Sequence, residues 1–96
     1  MRLGKTVREI RIRRGFTQKE LADETNLSQT YLSLIENGKR EPSLSTVESI
    51  GNALGIPSEI IAFLSLRAES IHPDKRELFE KVSPSIRAMI TEYFSI

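Results

Sequence analysis

The sequence predicts an all-α protein, with five short helices over the first two-thirds of the chain and two more in a C-terminal extension. Three observations carry this. Apolar residues recur at three- and four-residue spacing along most of the chain. No alternating run rich in β-branched residues is long enough to compete as a strand. Helix start signals (Ser, Thr or Pro) and stop signals (Gly or Asn) punctuate the apolar segments.

The elements follow in order. Val7 and Ile10, with Leu3, share a face and predict a first helix over 4–14, ended by Gly15. Thr17 with Glu20 three residues on reads as a capping box, opening a short second helix that buries Leu21 and Ala22. Asn26 stands where a tight turn needs φ > 0, which Asn tolerates. Ser28 caps a third helix over 29–37, closed by Gly38, and 39–42 form a loop. A fourth helix starts near Leu44 with Ser43 or Ser45 as its cap, and buries Leu44, Val47, Ile50 and Leu54 before stopping at Gly55. Gly51 inside it costs about 1 kcal/mol against Ala, so either a close helix contact requires it or it is drift. A fifth helix starts at Ser58 and carries Ile60, Ile61, Phe63 and Leu64. His72-Pro73-Asp74 and Ser83-Pro84-Ser85 both read as helix starts, because Pro is favoured at the first helical position. They predict a sixth helix over 73–82 and a seventh over 84–94. The expected organisation is a domain over 1–66 and an extension over 67–96.

Composition narrows the function. The chain has no cysteine and one histidine in 96 residues. A disulfide framework, a Cys-based zinc site, a thiol nucleophile and a multi-His metal site are excluded within one chain. No cofactor is expected. No apolar run approaches the ~20 residues of a membrane span, and no apolar segment follows the basic N-terminus as a signal peptide requires. A cytoplasmic protein without membrane contact is the expectation. The net charge is only +1, but it is split. Residues 1–40 hold nine basic and five acidic side chains, a balance of +4, and residues 41–96 balance at −3. That asymmetry points to a polyanion-facing end and a different task for the rest.

The informative pattern lies in residues 18–37. A short helix, a turn and a second helix carry apolar residues at Leu21, Ala22, Leu27, Leu32 and Ile35. Two helices crossing at ~90–120° come close together, and Ala22 is the small residue such a crossing needs. Leu27, Leu32 and Ile35 pin the second helix to the core. Gln29, Thr30, Ser33, Leu34 and Asn37 are left facing outward. A helix held this way can enter the ~12 Å major groove and read base edges.

From Arg8 to Leu64 the chain resembles the phage-repressor and Cro-like helix-turn-helix regulators, the XRE family. The resemblance is carried by Thr17-Gln18-x-Glu20-Leu21-Ala22, Leu27-Ser28, Ile35-Glu36-Asn37-Gly38-Lys39, Pro42-Ser43 and Ala53-Leu54-Gly55-Ile56. It implies a five-helix, lambda-repressor-like domain acting as a homodimeric regulator on a palindromic operator in double-stranded DNA. It implies base contacts by Ser28, Gln29, Thr30, Ser33 and Leu34 at the third helix. Gln29 matches adenine N6/N7. Family members often have a long polar side chain where Leu34 stands, which suggests thymine-methyl contact here. Phosphate contacts are implied for Thr17, Gln18, Tyr31, Asn37, Lys39 and Arg40, the loop residues acting through side chains and N–H groups. Finally, it implies a structural ion pair between Arg11 and Glu36.

Plainer alternatives stand beside these. Helix-turn-helix patterns also occur as packing motifs, and Gln29 and Thr30 also fit a solvated helix start. Ser28 suits a cap and a base contact together. Tyr31 is either a phosphate-contacting hydroxyl or a packing ring. Arg13 and Arg14 read as a solvated face. His72 reads as a helix start, since no nucleophile accompanies it and no enzymatic role is expected.

The resemblance does not cover 67–96. There Ile86, Met89, Ile90, Tyr93 and Phe94 form one apolar stripe, and Leu78, Phe79 and Val82 give the preceding segment a similar face. Three roles are open: extra core for the domain, a dimerisation element, or a dock for another protein such as a toxin. In the last case the chain would be antitoxin-like, or a restriction-modification controller.

Overall fold

The computed structural model describes residues 2–96, and among these there are six α-helices, a 3-10 turn and no strand. The order is α1 (Leu3–Arg13), α2 (Gln18–Thr25), α3 (Gln29–Glu36), α4 (Leu44–Leu54), α5 (Ser58–Leu64), the 3-10 turn Ala68–Ser70, and α6 (Pro73–Phe94). No single helix among the described residues is long and apolar enough to cross a membrane.

Local chemistry sets the boundaries. The Thr17 hydroxyl accepts from the Glu20 N–H at 3.0 Å, and the Glu20 carboxylate accepts from the Thr17 N–H at 2.9 Å. Both are donors that a bare helix start would leave unsatisfied. The Thr17 N–H, and after it the Thr17 hydroxyl, hold the Glu20 carboxyl below the usual carboxylate range. Asn26 ends α2 at φ 57°, as its position in the turn demands. Ser28 caps α3 by accepting from the Tyr31 N–H at 3.0 Å. At α4 the cap is Ser43, which accepts from the Thr46 N–H at 3.2 Å. Ser45 is instead a neighbour whose hydroxyl bonds to that of Ser43.

Helices α1 to α5 enclose one core. Val7, Leu21, Leu32, Ile50, Ile56 and Ile61 are fully buried in it, each contributing roughly 1.5–3 kcal/mol by leaving water. Leu27 and Phe16 pack on its edge. Two glycines let backbones meet. A Cβ on Gly51 would overlap the Ile56 carbonyl, so its presence within α4 is required by a close approach. A Cβ on Gly4 would overlap the Ile35 carbonyl, where α1 runs against the end of α3.

Three expectations are corrected. Leu44 is 71% exposed, because it occupies the first position of α4 and the helix turns its buried stripe inward only from Val47. Arg14 is not merely solvated: its Nε donates to the Leu54 carbonyl at 3.0 Å and so occupies an acceptor at the end of α4. The extension is one helix of 22 residues with Pro84 inside it, not two helices. Pro84 removes the amide that would bond to the Glu80 carbonyl. Both residues are exposed, so water can reach the freed group, and strong helix formers on either side carry the helix through.

Helix α6 is held to the domain by arginines. Arg87 donates to the carbonyls of Leu64 (3.0 Å) and Leu66 (2.9 Å), the orphan acceptors past the end of α5. Arg76 donates to Ala68 and Ile71 at 2.9 and 3.0 Å, tying the 3-10 turn to the first turns of α6. At the far end Phe94 and Ile96 pack against the domain core.

Candidate nucleic-acid interface

The site is built on the exposed side of α3. Its inner side is committed: Leu32 and Ile35 are buried in the domain. That fixes the rotation of α3 and turns Gln29 and Thr30 to solvent, with Ser33 and Leu34 half-buried beside them. These four and Gln18, from the first turn of α2, line one shallow groove. The structure thus brings together residues eleven or more positions apart in sequence.

A buried ion pair lies under this groove. Arg11 from α1 donates to Glu36 at the end of α3 through Nε (2.8 Å to Oε2) and Nη2 (2.9 Å to Oε1). The Glu36 side chain is only 1% exposed. Arg11 also donates through Nη1 to the Phe16 carbonyl at 2.9 Å, which ties the α1–α2 turn to the pair. Gln18 Nε2 donates to Glu36 Oε1 at 3.3 Å. One carboxylate therefore anchors α1, α3 and the first side chain of α2. Its two oxygens are bonded, and no buried side-chain polar atom among the described residues lacks a partner.

The flanks are basic. Lys39 and Arg40 are exposed after α3. The Arg40 guanidinium lies 5.8 Å from the Tyr31 ring centroid, a cation–π contact that steadies both. Tyr31 is half-buried, and that stacking was not visible in the sequence. Asn37 Nδ2 donates to the Ser33 hydroxyl at 3.4 Å. Thr17 and Ser28 have their hydroxyl oxygens engaged as helix caps, and each keeps its own hydroxyl proton to donate. One implied feature differs. The N–H groups of Asn37, Lys39 and Arg40 are spent inside the turn, on the Ser33 carbonyl at 3.0 Å and on the Leu34 carbonyl at 2.9 and 3.2 Å. Helix α3 ends in a tight turn at Gly38 (φ 75°) that consumes these amides. The exposed side chains of these three residues, not their amides, are what this turn presents to solvent.

The stripe of the extension is split by the structure. Phe94 faces inward onto the core, and Ile86 and Ile90 are half-buried. Met89 and Tyr93 are 65% and 82% exposed.

Residues 7–61 match the family model described as helix-turn-helix. The chain belongs to the helix-turn-helix family, XRE type. The immunity repressor protein of Bacillus phage phi105 is 46% identical over 56 residues, which are 58% of this chain and 39% of the repressor. The control protein C.BamHI of Bacillus amyloliquefaciens is 40% identical over 65 residues, 66% of this chain and 80% of that protein. The chain thus spans well under half of the phage repressor and most of the control protein. Among solved structures, the clp gene regulator ClgR from Corynebacterium glutamicum superposes with a TM-score of 0.65 at 26% identity. That match covers 96% of this chain and 88% of ClgR. The helix-turn-helix unit and the C-terminal extension therefore both have a structural counterpart.

Proposed function

We propose that this helix-turn-helix regulator is a repressor that binds a palindromic operator in double-stranded DNA as a homodimer. The observation that carries this is the groove of Gln18, Gln29, Thr30, Ser33 and Leu34, exposed on a helix whose rotation is fixed from beneath by Arg11 and Glu36. Gln29 and Thr30, at the start of α3, reach base edges in the major groove; Gln29 offers the bidentate amide that matches adenine. Ser28 contributes its remaining hydroxyl proton, Ser33 a hydroxyl, and Leu34 an apolar contact to a thymine methyl. Lys39, Arg40, Asn37, Tyr31, Thr17 and Gln18 hold phosphates and set the register. Likeness to a phage immunity repressor supports the repressor sign.

Two such helices on a two-fold dimer enter successive major grooves ~34–36 Å apart. Selection of bound sites from random duplex DNA tests this. The expected product is an inverted repeat with half-site centres ~10–10.5 bp apart. Recovery of no common sequence at moderate salt would overturn the proposal. Likeness to a control protein favours a second reading, a controller of neighbouring restriction-modification genes. Reporter expression from the operator-bearing promoter, with and without the protein, separates repression from activation.

A further inference from the structure

Among the described residues, one face of α6 leaves large apolar side chains exposed. At 3.6 residues per turn, Leu78, Val82, Met89 and Tyr93 fall within about 60° of one another. They are 58%, 43%, 65% and 82% exposed. Arg76 and Arg87, which clamp α6 to the domain, lie roughly 140° away from the middle of this stripe. The clamps therefore fix the rotation of α6 with its apolar stripe pointing outward. Beside Leu78 and Val82 lies a groove of about 300 Å³ lined also by Phe63, Ile71, Lys75, Phe79, Ser83 and Ile86.

The stripe is symmetric about its own middle. Its spacings are four, seven and four residues, centred between Ser85 and Ile86. A two-fold axis at that level sets Leu78 opposite the partner's Tyr93 and Val82 opposite the partner's Met89. The projecting half of each helix then meets the grooved half of the other, the self-complementarity an isologous contact requires. Charge selects the same orientation. With a rise of 1.5 Å per residue, Lys81 and the partner's Glu92 fall on one flank at levels about 3 Å apart. In a parallel pair the two-fold axis runs along the helices, so Lys81 and the partner's Glu92 lie on opposite flanks, about 16 Å apart in level, and this contact is lost.

We propose that α6 pairs antiparallel with α6 of a second copy of this chain, Tyr93 of each seating in the groove beside Leu78 and Phe79 of the other. This rests on the homodimer reading above and names the surface that makes the dimer.

The test is the mass of the full chain in solution, by sedimentation equilibrium without DNA. Wild type is expected to be a dimer, Leu78→Glu a monomer, and Tyr93→Ser a dimer weakened at least about tenfold, each with an unchanged helical CD spectrum because the positions are exposed. Lys81→Glu and Glu92→Lys each weaken the dimer by about twofold to fivefold, and the double swap restores it. The chain has no cysteine, so engineered ones report orientation. Ser85→Cys, beside the axis, cross-links into a disulfide dimer on mild oxidation, and Asp74→Cys does not. A monomeric wild type, a Leu78→Glu dimer as tight as wild type, or cross-linking by Asp74→Cys in place of Ser85→Cys overturns the proposal. DNA binding is scored separately. A protein that dimerises through α6 yet binds no DNA selectively refutes the operator reading alone. A wild-type dimer that binds the operator selectively, and that Leu78→Glu and Tyr93→Ser leave as tight as before, refutes the α6 pairing alone.

Discussion

Replacing Arg11 by methionine keeps much of the apolar stem and removes the guanidinium. The Glu36 carboxylate, 1% exposed, then loses its charge partner and two hydrogen bonds of 2.8 and 2.9 Å. Only the Gln18 amide remains to it, at 3.3 Å. An uncompensated buried charge of this kind costs about 3–5 kcal/mol. The Phe16 carbonyl also loses its donor, adding about 0.5–1.5 kcal/mol. A domain of this size has total stability on the order of 5–14 kcal/mol, so Arg11→Met removes a large part of it. The double variant Arg11→Met/Glu36→Leu removes both charges and fills the site with apolar atoms. It is expected to recover most of the loss, since exchanging a whole buried pair for hydrophobes is often neutral or better. Urea unfolding followed by circular dichroism measures both variants. Arg11→Met costing under about 1 kcal/mol, or a double variant as unstable as the summed single losses, would refute the reasoning. The double variant should still bind DNA more weakly than wild type, because Gln18 loses the oxygen that positions it.

Other outcomes follow from the same geometry. Gly51→Ala gains about 1 kcal/mol of helix propensity but drives a Cβ into the Ile56 carbonyl. Net destabilisation of about 1–3 kcal/mol is expected by urea unfolding, and any stabilisation contradicts the close approach. Thr17→Ala removes the α2 cap and costs about 1 kcal/mol. Glu20 has its folded pKa lowered by the Thr17 bonds. Its small contribution is therefore present above the unfolded carboxylate pKa and is lost as pH falls through the folded one. Stability measured against pH should show this acid loss in wild type and a smaller one in Thr17→Ala. Lys39→Ala weakens binding to all duplexes alike and lowers the salt slope by about one ion.

Much of the domain was legible because its signals are local. A capping box, a Ser cap and an Asn in the left-handed region each depend on residues within a few positions of one another. The outward set on α3 was legible for the same reason, since Leu32 and Ile35 fix the helix rotation by spacing alone. What escaped depends on contacts between distant segments. Arg14, Arg76 and Arg87 reach carbonyls that no sequence pattern links to them. The Gly4 contact with Ile35 and the Arg40–Tyr31 stacking are of the same kind. Pro84 misled because Ser-Pro-Ser is a sound start signal locally, and the flanking helix formers outweighed it. The amides of Asn37, Lys39 and Arg40 were expected to face a ligand because the loop matched a pattern, while the tight turn at Gly38 folds them onto α3.

The central claim is that α3 reads sequence through Gln29 while the basic flank supplies affinity without sequence. Fluorescence anisotropy titrations of wild type and Gln29→Ala, on the selected operator and on a scrambled duplex across a range of salt, test it most directly. Wild type should prefer the operator, and Gln29→Ala should lose about 1–3 kcal/mol of discrimination at one base pair with the scrambled-duplex curve unchanged. Equal losses for Gln29→Ala on both duplexes, or no operator preference in wild type, would contradict the account.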